Sequence, residues 1–260
     1  MHCLKRYSQP GSIIESGFFL TMRQEFDKYG KEDFMVWKTL FERQKANLED
    51  KACDEYMLAL ERMEPVLHPS APPNFEKINQ WFQQSTGWEI HCVPGLIPVE
   101  DFFQLLSQKK FCSSTWLRKM SQLDYLEEPD MFHDVFGHIP LLSDPIFSDF
   151  AQEFGRLGCT VLDDPKRVIM LQRLYWFTIE FGLIEQNGLK IYGAGIASSF
   201  GEANSSISGA VPVVPFDIEK VMQTEFRTDV MQSQYVVIDS FEQLFESLLK
   251  VSSKWKGIHV

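Results

Sequence analysis

The chain has six histidines in 260 residues, and two of them, His133 and His138, stand five apart in Glu128-Pro129-Asp130-Met131-Phe132-His133-Asp134-Val135-Phe136-Gly137-His138. Imidazoles this close in sequence are candidate metal ligands. Their spacing differs from the His-Glu-x-x-His of zinc proteases, where an i, i+4 pair shares one helical face. Five residues along an ideal helix turn the two directions about 140° apart. The pair converges only at a helix end or a local distortion, for which Pro129 and Gly137 are available; otherwise the two rings make ordinary polar contacts.

A third candidate is Glu180, in Leu174-Tyr175-Trp176-Phe177-Thr178-Ile179-Glu180-Phe181-Gly182-Leu183. A carboxylate in so apolar a helix must be paired, protonated or bound to a cation, because burying it alone costs several kcal/mol. Arg173 is seven positions away, about two turns, so it is a poor partner. Two imidazoles and one carboxylate on one side of a metal form the facial triad of non-haem Fe(II) oxygenases, with open positions for oxygen and substrate. A zinc hydrolase could use the same ligands, but no general base is placed like the glutamate of His-Glu-x-x-His.

These residues need elements to hold them. Residues 1–30 read as an irregular arm broken at Pro10-Gly11 and Tyr29-Gly30. From Glu32 to Met63 apolar residues recur at helical spacing, giving one broken helix or two. Pro65 to Pro73 is a proline-rich connector, a shorter helix covers about 75–86, and Val93 to Pro98 is an extended loop leading into a helix over about 99–108. Ser143-Asp144-Pro145 starts a helix whose buried face is Phe147, Phe150, Ala151, Phe154 and Leu157, with Gly155 and Gly158 ending it. Val168 to Leu183 is apolar nearly all round, a central helix. Asn187-Gly188 then separates Leu183-Ile184 from Leu189-Lys190-Ile191-Tyr192, a hairpin signal. The predicted class is mainly α with small β hairpins.

With 36 acidic against 25 basic side chains the net charge is −11, which repels phosphate backbones and anionic lipid headgroups. The 22 phenylalanines and six tryptophans suffice for a well-filled core. Five cysteines, Cys3, Cys53, Cys92, Cys112 and Cys159, are odd in number and widely spaced, as expected of reduced thiols in the cytoplasm. No segment approaches about 18 consecutive apolar residues.

From Thr86 to Glu202 the sequence closely resembles the pterin-dependent aromatic amino acid hydroxylases, in their bacterial phenylalanine 4-hydroxylase form. The matching blocks are Val93-Pro94-Gly95-Leu96-Ile97-Pro98, Leu123-Asp124-Tyr125-Leu126-Glu127-Glu128-Pro129-Asp130 running into the two histidines, Tyr175-Trp176-Phe177-Thr178-Ile179-Glu180-Phe181-Gly182, and Tyr192-Gly193-Ala194-Gly195 continuing to Ser198-Ser199-Phe200-Gly201-Glu202. Cys53-Asp54-Glu55-Tyr56 extends the resemblance towards the N-terminus. It implies a single-domain hydroxylase catalytic fold over 1–260, with no regulatory domain and no C-terminal tetramerisation helix, acting as a cytoplasmic monomer.

The resemblance also implies site roles. His133, His138 and Glu180 fall at the iron ligands; Arg118 falls where the family grips the amino acid carboxylate in a bidentate pair, with Ser198 beside it and Trp176 as an aromatic wall. Gly95, Ile97 and Phe102 fall in the pterin cradle, and Asp134 where an acidic residue reaches the pterin through water. The implied cofactors are Fe(II) and a tetrahydropterin, with O₂ as co-substrate: O₂ is activated first, and the aromatic ring is attacked second. The implied substrate is phenylalanine, and Trp176 favours it over tryptophan. A broader aromatic specificity is the alternative, and a non-catalytic module is disfavoured by the intact ligand positions. Some residues depart from the family. Cys112 and Leu126 replace a histidine and a threonine of the animal enzymes, and Gln232-Ser233-Gln234-Tyr235 has serine where relatives commonly have proline. His68 and His91 lie outside the ligand pattern.

Overall fold

Between Glu32 and Met63 the chain forms two helices, α1 (Lys31–Leu48) and α2 (Asp54–Arg62). The computed structural model describes residues 22–257 apart from 125 and 127; of the expected arm, residues 22–30 fall within it, with a 3₁₀ turn at Phe26–Lys28. The gap between α1 and α2 has a use. Cys53 N–H donates to the Ile191 carbonyl at 2.9 Å and Ile191 N–H to the Lys51 carbonyl at 2.8 Å, so the break serves as a strand edge for the distant hairpin.

The next elements are α3 (Phe75–Phe82), β1 (Glu89–Cys92), α4 (Val99–Ser107) and β2 (Lys110–Ser113), with β1 and β2 paired in parallel. Asp144 caps α5 (Pro145–Cys159) by accepting from Ile146 N at 3.0 Å and Phe147 N at 2.9 Å, with Pro145 in the first turn. Such a cap contributes about 0.5–2 kcal/mol. Phe147, Phe150, Ala151, Phe154 and Leu157 are buried as expected. Gly155 and Gly158 do not end the helix; they lie inside it. A Cβ at Gly158 would stand 2.2 Å from the Phe103 ring, and one at Gly155 2.4 Å from the Ser107 nitrogen. The two glycines let α4 lie directly against α5.

The apolar stretch from Val168 is divided differently from one central helix. Helix α6 (Pro165–Tyr175) gives way to a π-helical turn, Trp176–Glu180, and then to strand β3 (Gly182–Glu185). β3 and β4 (Leu189–Ile191) form the hairpin that Asn187-Gly188 announces, with Asn187 at φ 53° and Gly188 at φ 113°. Short helices α7 (Ala194–Ala197) and α8 (Phe200–Ser206) follow, then β5 (Val213–Pro215), α9 (Ile218–Val221), β6 (Tyr235–Ile238) and α10 (Phe241–Trp255). The hairpin grows into a four-stranded sheet, order β4-β3-β6-β5, in which β6 runs parallel to both β3 and β5.

One continuous hydrophobic core links these elements. Among the described residues, Cys53, Cys92, Cys112 and Cys159 form no disulfide, and no helix is long and apolar enough to cross a membrane.

Candidate active site

The i, i+5 histidine pair is brought together by an opened helix. His133–His138 is itself a π-helical turn, in which hydrogen bonds span five residues and positions five apart stack. The sequence supplies a cause. Pro140 has no N–H to give the Phe136 carbonyl four residues back, and that carbonyl accepts instead from the Tyr56 hydroxyl at 2.6 Å. Glu180 comes from the second π turn, where the Trp176 carbonyl accepts from Phe181 N–H at 3.0 Å and the Thr178 hydroxyl donates back to the Leu174 carbonyl. Such a back-bond competes with the regular ladder.

The three side chains meet in the interior. His138 Nε2 lies 3.3 Å from Glu180 Oε1, His133 Nε2 lies 3.7 Å from Glu180 Oε2, and the two Nε2 atoms are 3.2 Å apart. One ligand atom from each residue falls within 4.8 Å of the others. Ser198 fixes the tautomer of His133. Its hydroxyl donates to the Ala194 carbonyl at 2.8 Å, so it can only accept from His133 Nδ1–H at 2.9 Å, which leaves the Nε2 lone pair facing the other ligands.

Burial alone would push the Glu180 carboxyl up, but His138 and then His133 overrule it and hold it at about 2. Burial pushes His133 well below the usual imidazole range. Glu180 Oε2 is buried and has no hydrogen-bond partner. An unpartnered carboxylate oxygen facing the lone pair of a neutral His133, with His138 beside them, suits a divalent cation coordinated by all three residues. Gly195 leaves the room: a Cβ there would stand 3.2 Å from Glu180 Oε2 and 3.0 Å from the Glu180 carbonyl.

Arg118 is buried against Asp130. Its Nε donates to Asp130 Oδ2 at 2.9 Å and Nη2 to Oδ1 at 2.8 Å, while Nη1 lies 3.4 Å from the Leu123 carbonyl. Asp130 also accepts from His133 N–H at 3.2 Å, which ties the arginine to the first histidine. The two-pronged face expected to grip a carboxylate is thus already taken by an internal one. The outer edge of the guanidinium, Nη1 with the second Nη2 hydrogen, is what remains for a further anion.

Ser198, expected beside the substrate carboxylate, bonds within the protein here: its hydroxyl donates to the Ala194 carbonyl and accepts from His133 Nδ1–H. Trp176 is buried, with its ring stacked on Phe226 at 4.6 Å and 17° and its Nε1–H donated to Gln232 Oε1 at 2.9 Å. Asp134 accepts from Ser114 N–H at 2.9 Å, and burial pushes its carboxyl up to about 7.

Gly95 and Ile97 occupy the loop from β1 to α4, with Gly95 at φ 154° and open space where a Cβ would stand. Their element connects to the histidines through rings: Phe102 meets Tyr175 edge-on at 5.3 Å, and Tyr175 faces His138 at 6.3 Å.

A family model described as biopterin-dependent aromatic amino acid hydroxylase matches residues 24–257. The chain belongs to this family. The phenylalanine-4-hydroxylase of Chromobacterium violaceum is 46% identical over 229 residues, covering 87% of this chain and 76% of the relative. That of Ralstonia nicotianae is 44% identical over 234 residues, covering 87% and 72%. A crystal structure of the C. violaceum phenylalanine hydroxylase with bound iron(III) and 7,8-dihydrobiopterin matches at a TM-score of 0.86 and 43% identity, over 94% of this chain and 88% of that one. The mainly helical architecture with small sheets is the catalytic fold of these hydroxylases.

Three residues near the hydroxylase site escaped the sequence reading. Asp130 stands three before His133, a capping distance that could have drawn notice. Phe111 lies 4.6 Å from the His138 ring, and Gln232 reaches Trp176 from 56 positions away. Neither has a local sequence signal.

Proposed function

We propose that this chain is a non-haem Fe(II), tetrahydropterin-dependent monooxygenase that hydroxylates phenylalanine to tyrosine with O₂ as co-substrate. The observation that carries the metal reading is the convergence of His133, His138 and Glu180 around a buried carboxylate oxygen that nothing in the protein satisfies. Two imidazoles and one carboxylate give a charge and donor set suited to Fe(II) and leave coordination positions open. The iron and the tetrahydropterin, when bound, would supply O₂ activation and the two reducing electrons, and the oxygen atom that enters the ring would come from O₂.

The remaining work falls to the chain's own side chains. Ser198 holds His133 in the tautomer that presents Nε2. Arg118, braced by Asp130, offers its outer edge to the carboxylate of the amino acid, and Trp176 walls the aromatic ring. Holding both ends of a small substrate supplies orientation that a free encounter lacks. Gly95, Ile97, Phe102 and Asp134 form the pterin side. With its carboxyl near 7, Asp134 can donate or accept at neutral pH. The enzyme acts as a monomeric single domain in the cytoplasm, a reading supported by the net charge of −11, the unbridged cysteines and the single core.

Purified protein incubated with Fe(II), tetrahydropterin, O₂ and each aromatic amino acid in turn should yield tyrosine from phenylalanine, with one iron per chain. Turnover with zinc alone, or no tyrosine in the presence of both cofactors, overturns this reading. A stable oligomer in light scattering overturns the monomer.

A further inference from the structure

Behind Trp176 runs a buried polar chain that none of the roles above uses. The indole Nε1–H donates to Gln232 Oε1 at 2.9 Å, the backbone N–H of Gln232 donates to Glu202 Oε1 at 3.2 Å, and the Tyr235 hydroxyl donates to Glu202 Oε2. Trp176 is 2% exposed, Gln232 and Glu202 each 7%, and Tyr235 fully buried. Burial pushes the Glu202 carboxyl up, against the bonds it receives from Tyr235 and Gln232. A carboxyl group in the interior with both oxygens engaged is an anchor, and the groups it anchors belong to the segment leading to β6.

Gln232 is the informative member. Because its oxygen accepts from the indole, the amide orientation is fixed, and Nε2 is buried without a partner. An unmet buried donor is destabilising, so an apolar side chain of the same length would pack there with less penalty. What that side chain would lack is an acceptor for the indole. Phe226 stacks on the indole at 4.6 Å and Phe181 lies 4.6 Å away at 39°, so flat neighbours fix the plane of the ring. They do not decide which edge of the indole points which way within that plane. One directional hydrogen bond does.

The geometry points to Gln232 as a positioning residue for the substrate wall: its side-chain oxygen sets the orientation of the Trp176 indole, and Glu202 with Tyr235 holds Gln232 in place to do so. This inference rests on Trp176 lining the aromatic amino acid pocket. An indole free to flip by a half-turn about its Cβ–Cγ bond, which returns the ring to the same plane with its edges exchanged, would present a changing outline to the substrate ring, loosening the fit to phenylalanine and weakening discrimination against the larger indole of tryptophan.

The test is a double-mutant cycle between Gln232→Met, which keeps length but removes the acceptor, and Trp176→Phe, which removes the indole N–H. On otherwise wild-type iron-loaded enzyme, Gln232→Met should raise KM for phenylalanine by about three- to ten-fold, the range of one neutral hydrogen bond. It should change kcat less, and shift the phenylalanine-to-tryptophan ratio of kcat/KM towards tryptophan. The Kd for phenylalanine, from anaerobic calorimetry without pterin, should rise in parallel. In the Trp176→Phe background the same substitution should do nothing further. If Gln232→Met does not fold, Tyr235→Phe removes one hydroxyl at the far end of the chain and should shift KM in the same direction, by less, and again only when Trp176 is present. Unchanged KM and selectivity, or equal effects with and without the indole, overturn the inference. A wild-type enzyme that neither binds nor hydroxylates phenylalanine overturns the functional reading itself.

Discussion

The two ends of the site differ in how their polar groups are satisfied. At the metal end, Glu180 Oε2 is buried without a partner and the ligand atoms of His133, His138 and Glu180 face one another. At the Arg118 end, each oxygen of Asp130 receives a guanidinium hydrogen, and the backbone N–H groups of Arg118 and His133 complete the set. The first end is incomplete without a cation. The second is a finished internal ion pair that leaves one edge of the arginine for an incoming anion, so its geometry is set before substrate arrives. Here an unpartnered carboxylate oxygen among converging ligand atoms marks the place for a cation, and the completed ion pair marks what has been built to stay still.

The strongest way to break this comparison is Glu180→Gln, which keeps shape and removes the charge. Iron affinity should fall beyond the roughly 10–100-fold typical of changes around a metal's ligands, with turnover falling alongside. Normal iron content and activity in metal analysis and assay would remove Glu180 from the centre.

Asp134 extends the incomplete end, and its effect appears in the metal-free protein. Its folded-state carboxyl, raised to about 7 by burial against an ordinary 3.8, binds its proton more tightly than the unfolded chain does. Its contribution is therefore full below about pH 4 and is lost as pH rises to 7, a swing of about 4 kcal/mol by linkage. Asp134→Asn should be more stable than the parent at pH 8 in urea unfolding, with the advantage fading by pH 4.5. A gap independent of pH would count against a buried, raised carboxyl.

The complete end is probed by Arg118→Lys, which keeps the charge but loses the planar fork. Phenylalanine kcat/KM should fall by about ten- to a hundred-fold, as for a charge-assisted pair, with iron content unchanged and pterin oxidation partly uncoupled from tyrosine formation. Wild-type KM with full coupling would make Arg118 purely structural. The smallest effect belongs to Ser198→Ala. Losing the acceptor for His133 Nδ1–H should weaken iron binding by about ten-fold. If it instead raised the KM for phenylalanine and left iron affinity alone, the hydroxyl would belong to the substrate.

Much of this was legible in the sequence, and the exceptions share a cause. The α1/α2 break, the start of α5 and the Asn187-Gly188 hairpin are written in local caps, periodicity and turn residues. The three candidate ligands stand out by residue type and by one misplaced charge in an apolar run, and it is the family resemblance that assigns them to iron. What local pattern could not reveal depends on distant partners: Gly155 and Gly158 resemble helix ends until Phe103 and Leu106 press against them. The end of the central helix at Glu180 is fixed by strand β6, which begins 55 residues further on at Tyr235, and the commitment of Ser198 to His133 is a tertiary event. The π turn at His133–His138 was foreshadowed by Gly137, but its other cause, Pro140 together with Tyr56, could be recognised only once the two were seen side by side.

The sheet order also bears on how the site is assembled in time. Gly182, Leu183 and Ile184 pair with Val236, Val237 and Ile238, and Ala52 bridges to Ile191. Closing such distant pairings is entropically slow and comes late in folding. Glu180, two residues ahead of β3, leaves the ribosome well before the strand that will clamp its neighbours exists. The histidine turn draws on Tyr56 and Ser114, both made earlier in the chain, but the carboxylate cannot take its final place until β6 has been made and docked. Metal capture is therefore coupled to the completion of the fold, and iron retention in refolding experiments should develop with the last kinetic phase.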